Sequence, residues 1–132
     1  MTFGEAKSFI AEFLRGDNSN ADPQPIHFRM AVMEISAACE PKALTAPYTG
    51  NETDVFRILP KREDENGNII EEYVKTPNIP DDIEDTDEVP LDDLLDLAVV
   101  YHICAYLTNK SSDKYLARAK SVIATYVSDT TA

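Results

Sequence analysis

The stretch that decides the fold is residues 90–127, PLDDLLDLAVVYHICAYLTNKSSDKYLARAKSVIATYV, which carries the longest apolar periodic signal in the chain. Apolar residues cover nearly the whole circumference of a helix over 94–107, and they recur on one helical face over 115–127. The polar turn at 108–112 is short, so the second helix must fold back beside the first. We therefore predict an antiparallel helical hairpin over residues 90–128.

The start of this hairpin is marked by Pro90, whose fixed φ and missing N–H suit the first position of a helix. Asp92 and Asp93 would then fall in the first turn, where carboxylates favour the positive end of the helix dipole. The apolar run that follows is interrupted by Asp96 and His102 and is too short to cross a bilayer. We expect protein, and not lipid, to enclose this helix.

Two sources of that enclosure are open. A chain of 132 residues has little core with which to surround a helix, so part of the apolar surface could meet another subunit. The N-terminal residues 1–40 could instead supply the cover. They predict one helix over 2–15, where Thr2 and Glu5 have capping-box spacing, and another over 26–40.

The composition argues against some classes of function. Twenty-four acidic and twelve basic residues give a formal charge of −12, which argues against direct binding to nucleic acid or an anionic membrane. With 43% hydrophobic residues and no signal peptide or transmembrane run, we expect one soluble intracellular domain over residues 1–132. The basic side chains Lys114, Arg118 and Lys120 occupy the polar face of the last helix.

Neither a cofactor nor a metal is expected. His27 and His102 have no second ligand at a metal-binding spacing, so both are interpreted as surface or packing residues. Cys39 and Cys104 lie in apolar helical contexts far apart in sequence, which favours two buried free thiols over a disulfide. The chain has only four glycines and contains neither a phosphate-binding loop nor a nucleophile elbow, so we do not expect an enzyme.

The middle of the chain, residues 44–76, predicts a loop and one β-hairpin. Residues 44–54 are irregular in pattern, whereas 55–60 and 68–76 have the composition of strands. The Asn66-Gly67 pair between these strands suits a tight turn at a charged tip. An isolated hairpin is marginal in water, so this one must pack on the helices or on a neighbouring molecule.

Residues 77–89 form an acidic linker with six carboxylates. Two interpretations of this linker are open. It could be a solvated, extended connection that brings the chain to Pro90. It could also be an electronegative strip that repels DNA from a channel wall, docks on a basic partner or imitates a phosphate backbone.

The predicted fold is therefore mainly α, a four-helix arrangement with a C-terminal antiparallel helical hairpin and one inserted β-hairpin. For partner contact we select exposed aromatic or basic side chains beside segments expected to be mobile, because these types are enriched at interfaces. They are Arg57, Lys61, Arg62, Tyr73 and Tyr126.

Several of these features together resemble the head-to-tail connector, or adaptor, proteins of tailed bacteriophages. They are the strand Phe56-Arg57-Ile58-Leu59-Pro60, the charged hairpin, the acidic approach with prolines, the helix LDDLLDLAVVYHICAYLT and the Tyr-Leu-Ala-Arg-Ala-Lys helix. The resemblance covers mainly residues 44–127 and is one of pattern and layout.

This resemblance implies a structural virion protein that is made in the host cytoplasm and lies at the head–tail junction. Such proteins assemble as a homo-oligomeric ring, typically a dodecamer, beneath the portal protein, and give the tail or nozzle protein a surface to attach to. DNA passes through the lumen of the ring without specific binding, which suits an acidic wall. No membrane is involved.

An acidic DNA mimic that inhibits a nucleic-acid-binding enzyme is the alternative. Its support is the charge alone. A mimic should present carboxylates at phosphate-like intervals along one face, whereas here they concentrate in the hairpin and in residues 81–88.

Overall fold

The structure is a computed structural model that describes residues 1–17 and 22–131. Residues 18–21, within the loop expected between the first two helices, and Ala132 lie outside the described residues. The described chain contains four helices and five short strands. They are α1 (Phe3–Phe13), α2 (Pro25–Ala38), β1 (Thr45–Pro47), β2 (Val55–Ile58), β3 (Arg62–Glu63), β4 (Ile69–Ile70), β5 (Glu72–Lys75), α3 (Asp96–Leu107) and α4 (Ser112–Thr131).

The N-terminal helix starts as its sequence predicts. The Thr2 hydroxyl accepts the N–H of Glu5 at 3.1 Å, and the Glu5 carboxylate accepts the N–H of Thr2 at 3.1 Å. This reciprocal pair satisfies two amides that have no partner inside the helix. After α1, Gly16 adopts a positive φ of 81°, which is open to glycine at no steric cost.

The predicted start of α3 at Pro90 is wrong. Residues Asp93–Leu95 form a 3-10 turn, and α3 begins only at Asp96. The Asp92 carboxylate does not serve this helix, because it accepts the N–H groups of Lys42 at 3.2 Å and Ala43 at 2.7 Å. Asp92 thus caps a separate 3-10 turn that follows α2.

Helix α3 is enclosed by its own chain. Helices α1, α2 and α4 all pack against it, and α4 folds back on it as predicted. Seven of its twelve residues are buried: Ala98, Val99, Val100, His102, Ile103, Cys104 and Ala105. The N-terminal helices therefore supply most of the cover that the sequence left open, while Leu97 of α3 stays 41% exposed.

Both cysteines are free and buried, as predicted. Burial raises the pKa of the Cys39 thiol to about 11 and that of the Cys104 thiol to about 12. The thiolate is the reactive form of cysteine, so both side chains are poorly nucleophilic at neutral pH.

The strands form more than the predicted hairpin. Strand β5 lies at the centre of a three-stranded antiparallel sheet in the order β1-β5-β2, and β3 pairs with β4. Strand β1 lies in the stretch expected to be irregular, where Thr45 pairs with Val74 and Pro47 with Glu72. At the tip, Gly67 has a φ of 80°, as the predicted turn requires. The fold is therefore mixed, four helices with a small antiparallel sheet.

Residues 77–89 are attached to the helices through their backbone. The N–H groups of Phe3 and Gly4 donate to the carbonyls of Asp87 and Asp85, both at 2.9 Å. A side chain at Gly4 would place its Cβ 3.0 Å from the Cβ of Asp85, so this close approach favours glycine. Ile79 is buried beneath the segment. The carboxylates are therefore solvated, as the linker interpretation expects. The backbone is bonded to α1, so the segment is not a free linker.

Within the described ranges, no helix has both the length and the apolar character that a bilayer crossing requires.

Candidate functional site

A groove of about 970 Å³ lies between the C-terminal ends of α2 and α4 and the strands β2 and β3. Three of the five residues selected from the sequence line it, namely Arg57, Arg62 and Tyr126. Lys42 and Glu72 contribute further charges to its wall. The structure thus brings together residues that are up to 93 positions apart in sequence, from Ala37 to Thr130, on one open surface.

Arg57 holds strand β2 on helix α2. Its guanidinium donates to the carbonyl of Ser36 at 2.9 Å and to that of Cys39 at 2.7 Å. Helix α2 has no basic residue in its last turn, so Arg57 supplies positive charge at the negative end of the dipole. The expectation of an exposed base is wrong here, because these bonds draw the side chain into a partly buried position.

Tyr126 forms the floor of the groove and is only 2% exposed, so the expectation of an exposed aromatic is wrong. Its hydroxyl donates to the Asp92 carboxylate at 2.6 Å and accepts the N–H of Lys42 at 2.9 Å. Burial, followed by the hydrogen bond to Asp92, raises the pKa of Tyr126 to about 12. The hydroxyl therefore joins α4 to the segment after α2 and to the approach to α3.

Arg62 and Lys61 are exposed, as predicted. The Arg62 guanidinium donates to the Glu72 carboxylate at 2.7 Å, and Lys61 lies 3.1 Å from the Glu71 carboxylate. Exposed pairs of this kind contribute roughly 0–1 kcal/mol, so both cations can exchange their partners at little cost.

Tyr73 is not part of the groove lining, and it is 4% exposed, so the expectation of exposure is wrong for it as well. Its hydroxyl donates to the Asp54 carboxylate at 2.7 Å, and its ring lies 5.9 Å from that of Tyr48. Tyr73 therefore fixes the loop before β2 onto the central strand.

The acidic strip, residues 81–88, is a second candidate surface. Three of its six carboxylates pair with cations of the helical body: Asp81 with Arg29 at 2.8 Å, Asp85 with Lys7 at 2.8 Å and Glu88 with the Met1 ammonium at 3.1 Å. Asp82 and Glu84 form no ion pair with any described residue. All six side chains remain exposed, so the strip presents a fixed line of negative charge.

A third charged surface was not predicted from the sequence as a site. Lys110, Lys114, Arg118 and Lys120 are exposed on α4 and the turn before it, and they are called the basic face below. The Arg118 guanidinium lies 5.8 Å from the ring centre of Tyr115, close enough for a cation–π contact. The signal was available, because residues 110–120 hold four of the twelve basic residues and one of the twenty-four acidic ones.

A polar cluster at the α2–α3 interface has a packing role. The Glu34 carboxylate accepts the Tyr106 hydroxyl at 2.6 Å and lies 3.0 Å from Nδ1 of His102. The pKa of His102 is lowered by burial, and the charge of Glu34 offsets this only in part. His27 accepts the N–H of Gln24 through Nδ1 at 2.8 Å. Among the described residues, no group of three or more His, Cys, Asp or Glu side chains is arranged to hold a metal ion.

Comparison of the chain with models of protein families, with curated proteins and with solved structures finds no match. What the protein does must therefore be inferred from its own residues.

Proposed function

We propose that this protein is a structural, non-enzymatic subunit of a tailed-phage virion, a head-to-tail adaptor. It assembles as a ring, typically a dodecamer in such proteins, beneath the portal protein at the head–tail junction. The ring gives the tail or nozzle protein a surface to attach to. The sequence resemblance over residues 44–127 supports this proposal, and so does one feature of the structure.

That feature is the attachment of the acidic strip to the helical body. Backbone bonds to Phe3 and Gly4 and ion pairs to Arg29 and Lys7 hold the strip in place. Its six exposed carboxylates face three internal cations, so the strip keeps a net negative charge. A fixed line of negative charge repels DNA phosphates over a Debye length of about 8 Å at physiological salt. A lumen that must pass DNA without binding it needs a wall of this kind.

The groove suits the contact with the portal or the tail protein. Arg57 and Tyr126 hold its walls through internal bonds, so the groove has a fixed shape before a partner arrives. Arg62, and Lys61 beside it, have only weak exposed pairs and can turn to a carboxylate of the partner. Pre-formed shape with exchangeable charge lowers the entropic cost of binding.

The alternative of a DNA mimic has less support. Asp81, Asp85 and Glu88 already have internal cationic partners, which leaves three carboxylates of the strip for an external basic protein. A mimic gains its affinity from many unneutralised charges at phosphate-like intervals.

The test is coexpression of the protein with the portal protein encoded in the same genome, followed by purification through a tag on the portal. We expect copurification and, by electron microscopy, an added ring of density on the tail-proximal side of the portal. Lys61→Glu with Arg62→Glu should weaken the complex, whereas Lys75→Glu, at a basic residue outside the groove lining, serves as the control. A portal ring that never retains the protein, or a tight complex with a basic nuclease or repressor, contradicts the proposal.

A further inference from the structure

The charges of this acidic protein are segregated in space. The basic face carries four cations, with Asp113 in the first turn of α4 and Asp17 beside it. The Asp17 carboxylate already accepts the N–H of Asn109 at 3.0 Å and the hydroxyl of Thr108. The basic face therefore remains positive on a chain whose formal charge is −12.

The basic face and the acidic strip lie at opposite ends of α1. The strip bonds to the first turn of α1, where Gly4 donates to Asp85. The basic face lies at the other end, where the Tyr115 hydroxyl donates to the carbonyl of Phe13 at 3.0 Å. At 1.5 Å per residue, the nine steps from Gly4 to Phe13 separate these points by roughly 14 Å.

We propose that Asp82 and Glu84, at the beginning of the acidic strip of one copy, dock against the basic face of a second copy, head to tail, and that the rest of the strip faces the lumen. Such a contact joins two different surfaces, so it repeats from copy to copy and closes into a ring when the rotation permits. This inference rests on the proposed ring and names the two surfaces that build it.

The side chains required for this contact are accessible. Asp82 and Glu84 have no ion pair with a described residue, and Lys114 and Arg118 contact aromatic rings and not carboxylates. Exposed small residues, Ala117, Ser121 and Ala124, lie along the same side of α4 and allow a neighbouring backbone to approach. The fixed strip of another copy supplies the negative charge that complements this positive patch and its small side chains.

The salt dependence of this contact has a characteristic form. Two copies of net charge −12 repel each other at long range, and that repulsion extends about 30 Å at 0.01 M salt. At about 0.15 M the Debye length falls to about 8 Å, which screens the long-range repulsion more than the local attraction. At about 1 M it is about 3 Å and both are screened. Association should therefore be strongest at intermediate salt.

The experiment is a charge-reversal cycle followed by sedimentation at about 0.15 M salt, where screening favours the contact. Lys114→Glu with Arg118→Glu, and separately Asp82→Lys with Glu84→Lys, should each weaken self-association at least about tenfold, because like charges then face each other. The chain carrying all four changes should associate again. Failure of the four-fold variant to recover overturns the inference, and circular dichroism checks that each variant is folded.

Cross-linking provides an independent measurement. Asp82→Cys and Lys114→Cys chains are mixed and oxidised, both free and bound to the portal, and the buried native thiols do not compete. We expect a disulfide between the two variants and none when Glu65→Cys, at the exposed hairpin tip, replaces Asp82→Cys. The inference is overturned if both pairs cross-link equally or if no cross-link forms in either setting. It is also overturned if the basic face retains duplex DNA in place of a second copy. A ring on the portal that survives charge reversal refutes this interface alone, whereas no ring at all refutes the proposed function.

Discussion

The helical body and the segment of residues 45–89 are held together by different forces. In the body, apolar side chains of α3 such as Val99 and Ile103 are completely buried. In residues 45–89, few side chains are fully buried, and polar groups such as Arg57 and Arg29 attach the segment to α2. The body should therefore depend most on apolar burial, while the attachment of the segment should depend on polar groups.

The largest effect is expected from a cavity in the body. Ile103→Ala removes a completely buried side chain, so the free energy of unfolding should fall by about 2–5 kcal/mol. Urea unfolding measures the change. Leu97→Ala on the same helix is the matched control, because Leu97 is 41% exposed and should lose less than about 1 kcal/mol. Equal losses at both positions would mean that α3 is not enclosed as described.

The next effect tests the polar junction that joins α4 to the turn after α2 and to the approach to α3. Tyr126→Phe removes the hydroxyl that joins Asp92 and Lys42, and should cost about 2 kcal/mol, because one of the bonds is to a charged group. Urea unfolding again gives the value. A loss below about 0.5 kcal/mol would show that the junction contributes little.

The pH dependence of the same variant sharpens this test. The folded-state pKa of Tyr126, about 12, lies above its ordinary value of 10.0, so the stabilisation is complete below about pH 10. It is lost as the pH rises toward 12, because the unfolded chain releases the hydroxyl proton first. Stability should therefore fall less steeply between about pH 10 and pH 12 in Tyr126→Phe than in the parent chain.

A smaller effect is expected where β2 meets α2. Arg57→Met keeps the apolar stem of the side chain but removes both bonds to the carbonyls at the end of α2, so we expect a loss of about 1–2 kcal/mol. Hydrogen exchange should report increased opening of the last turn of α2. Lys61→Met, which removes only an exposed pair with Glu71, is the control and should change little.

The smallest effect is expected at the acidic strip. Lys7→Met breaks the exposed pair with Asp85 and should cost less than about 1 kcal/mol, since the backbone bonds of the strip to α1 remain. Chemical shifts of Phe3 and Gly4 amides should change little. Loss of those hydrogen bonds would show that the ion pair, and not the backbone, attaches the strip.

Local patterns in the sequence predicted what local interactions determine. Apolar periodicity located the helices, and the capping box of Thr2 with Glu5 was confirmed. The predictions failed where a polar partner is distant in sequence: Asp92 and Tyr126 are 34 residues apart, and Lys42 and Tyr126 are 84 apart. Rules for helix starts consider only adjacent residues, so they assigned Asp92 to the dipole of α3.

The candidate surfaces were likewise predictable in their local composition but not in their arrangement in space. The composition of residues 81–88 and 110–120 reveals their opposite charges, yet only the fold places them at the two ends of α1. The groove was not predictable as a unit, because Arg57 and Tyr126 meet only after β2 and α4 have both packed near the end of α2. Burial of Tyr73 depends likewise on pairing between strands.

The docking of α1 has a consequence for synthesis on the ribosome. Its partners are the carbonyls of Asp85 and Asp87 and the hydroxyl of Tyr115, which donates to a residue 102 positions earlier in the chain. Helix α1 therefore leaves the exit tunnel long before its binding surface has been translated. Until α3 emerges, the apolar face of Phe3, Ala6 and Ile10 lacks the helix that it packs against, which makes the nascent N-terminus a natural substrate for chaperones that recognise exposed apolar segments.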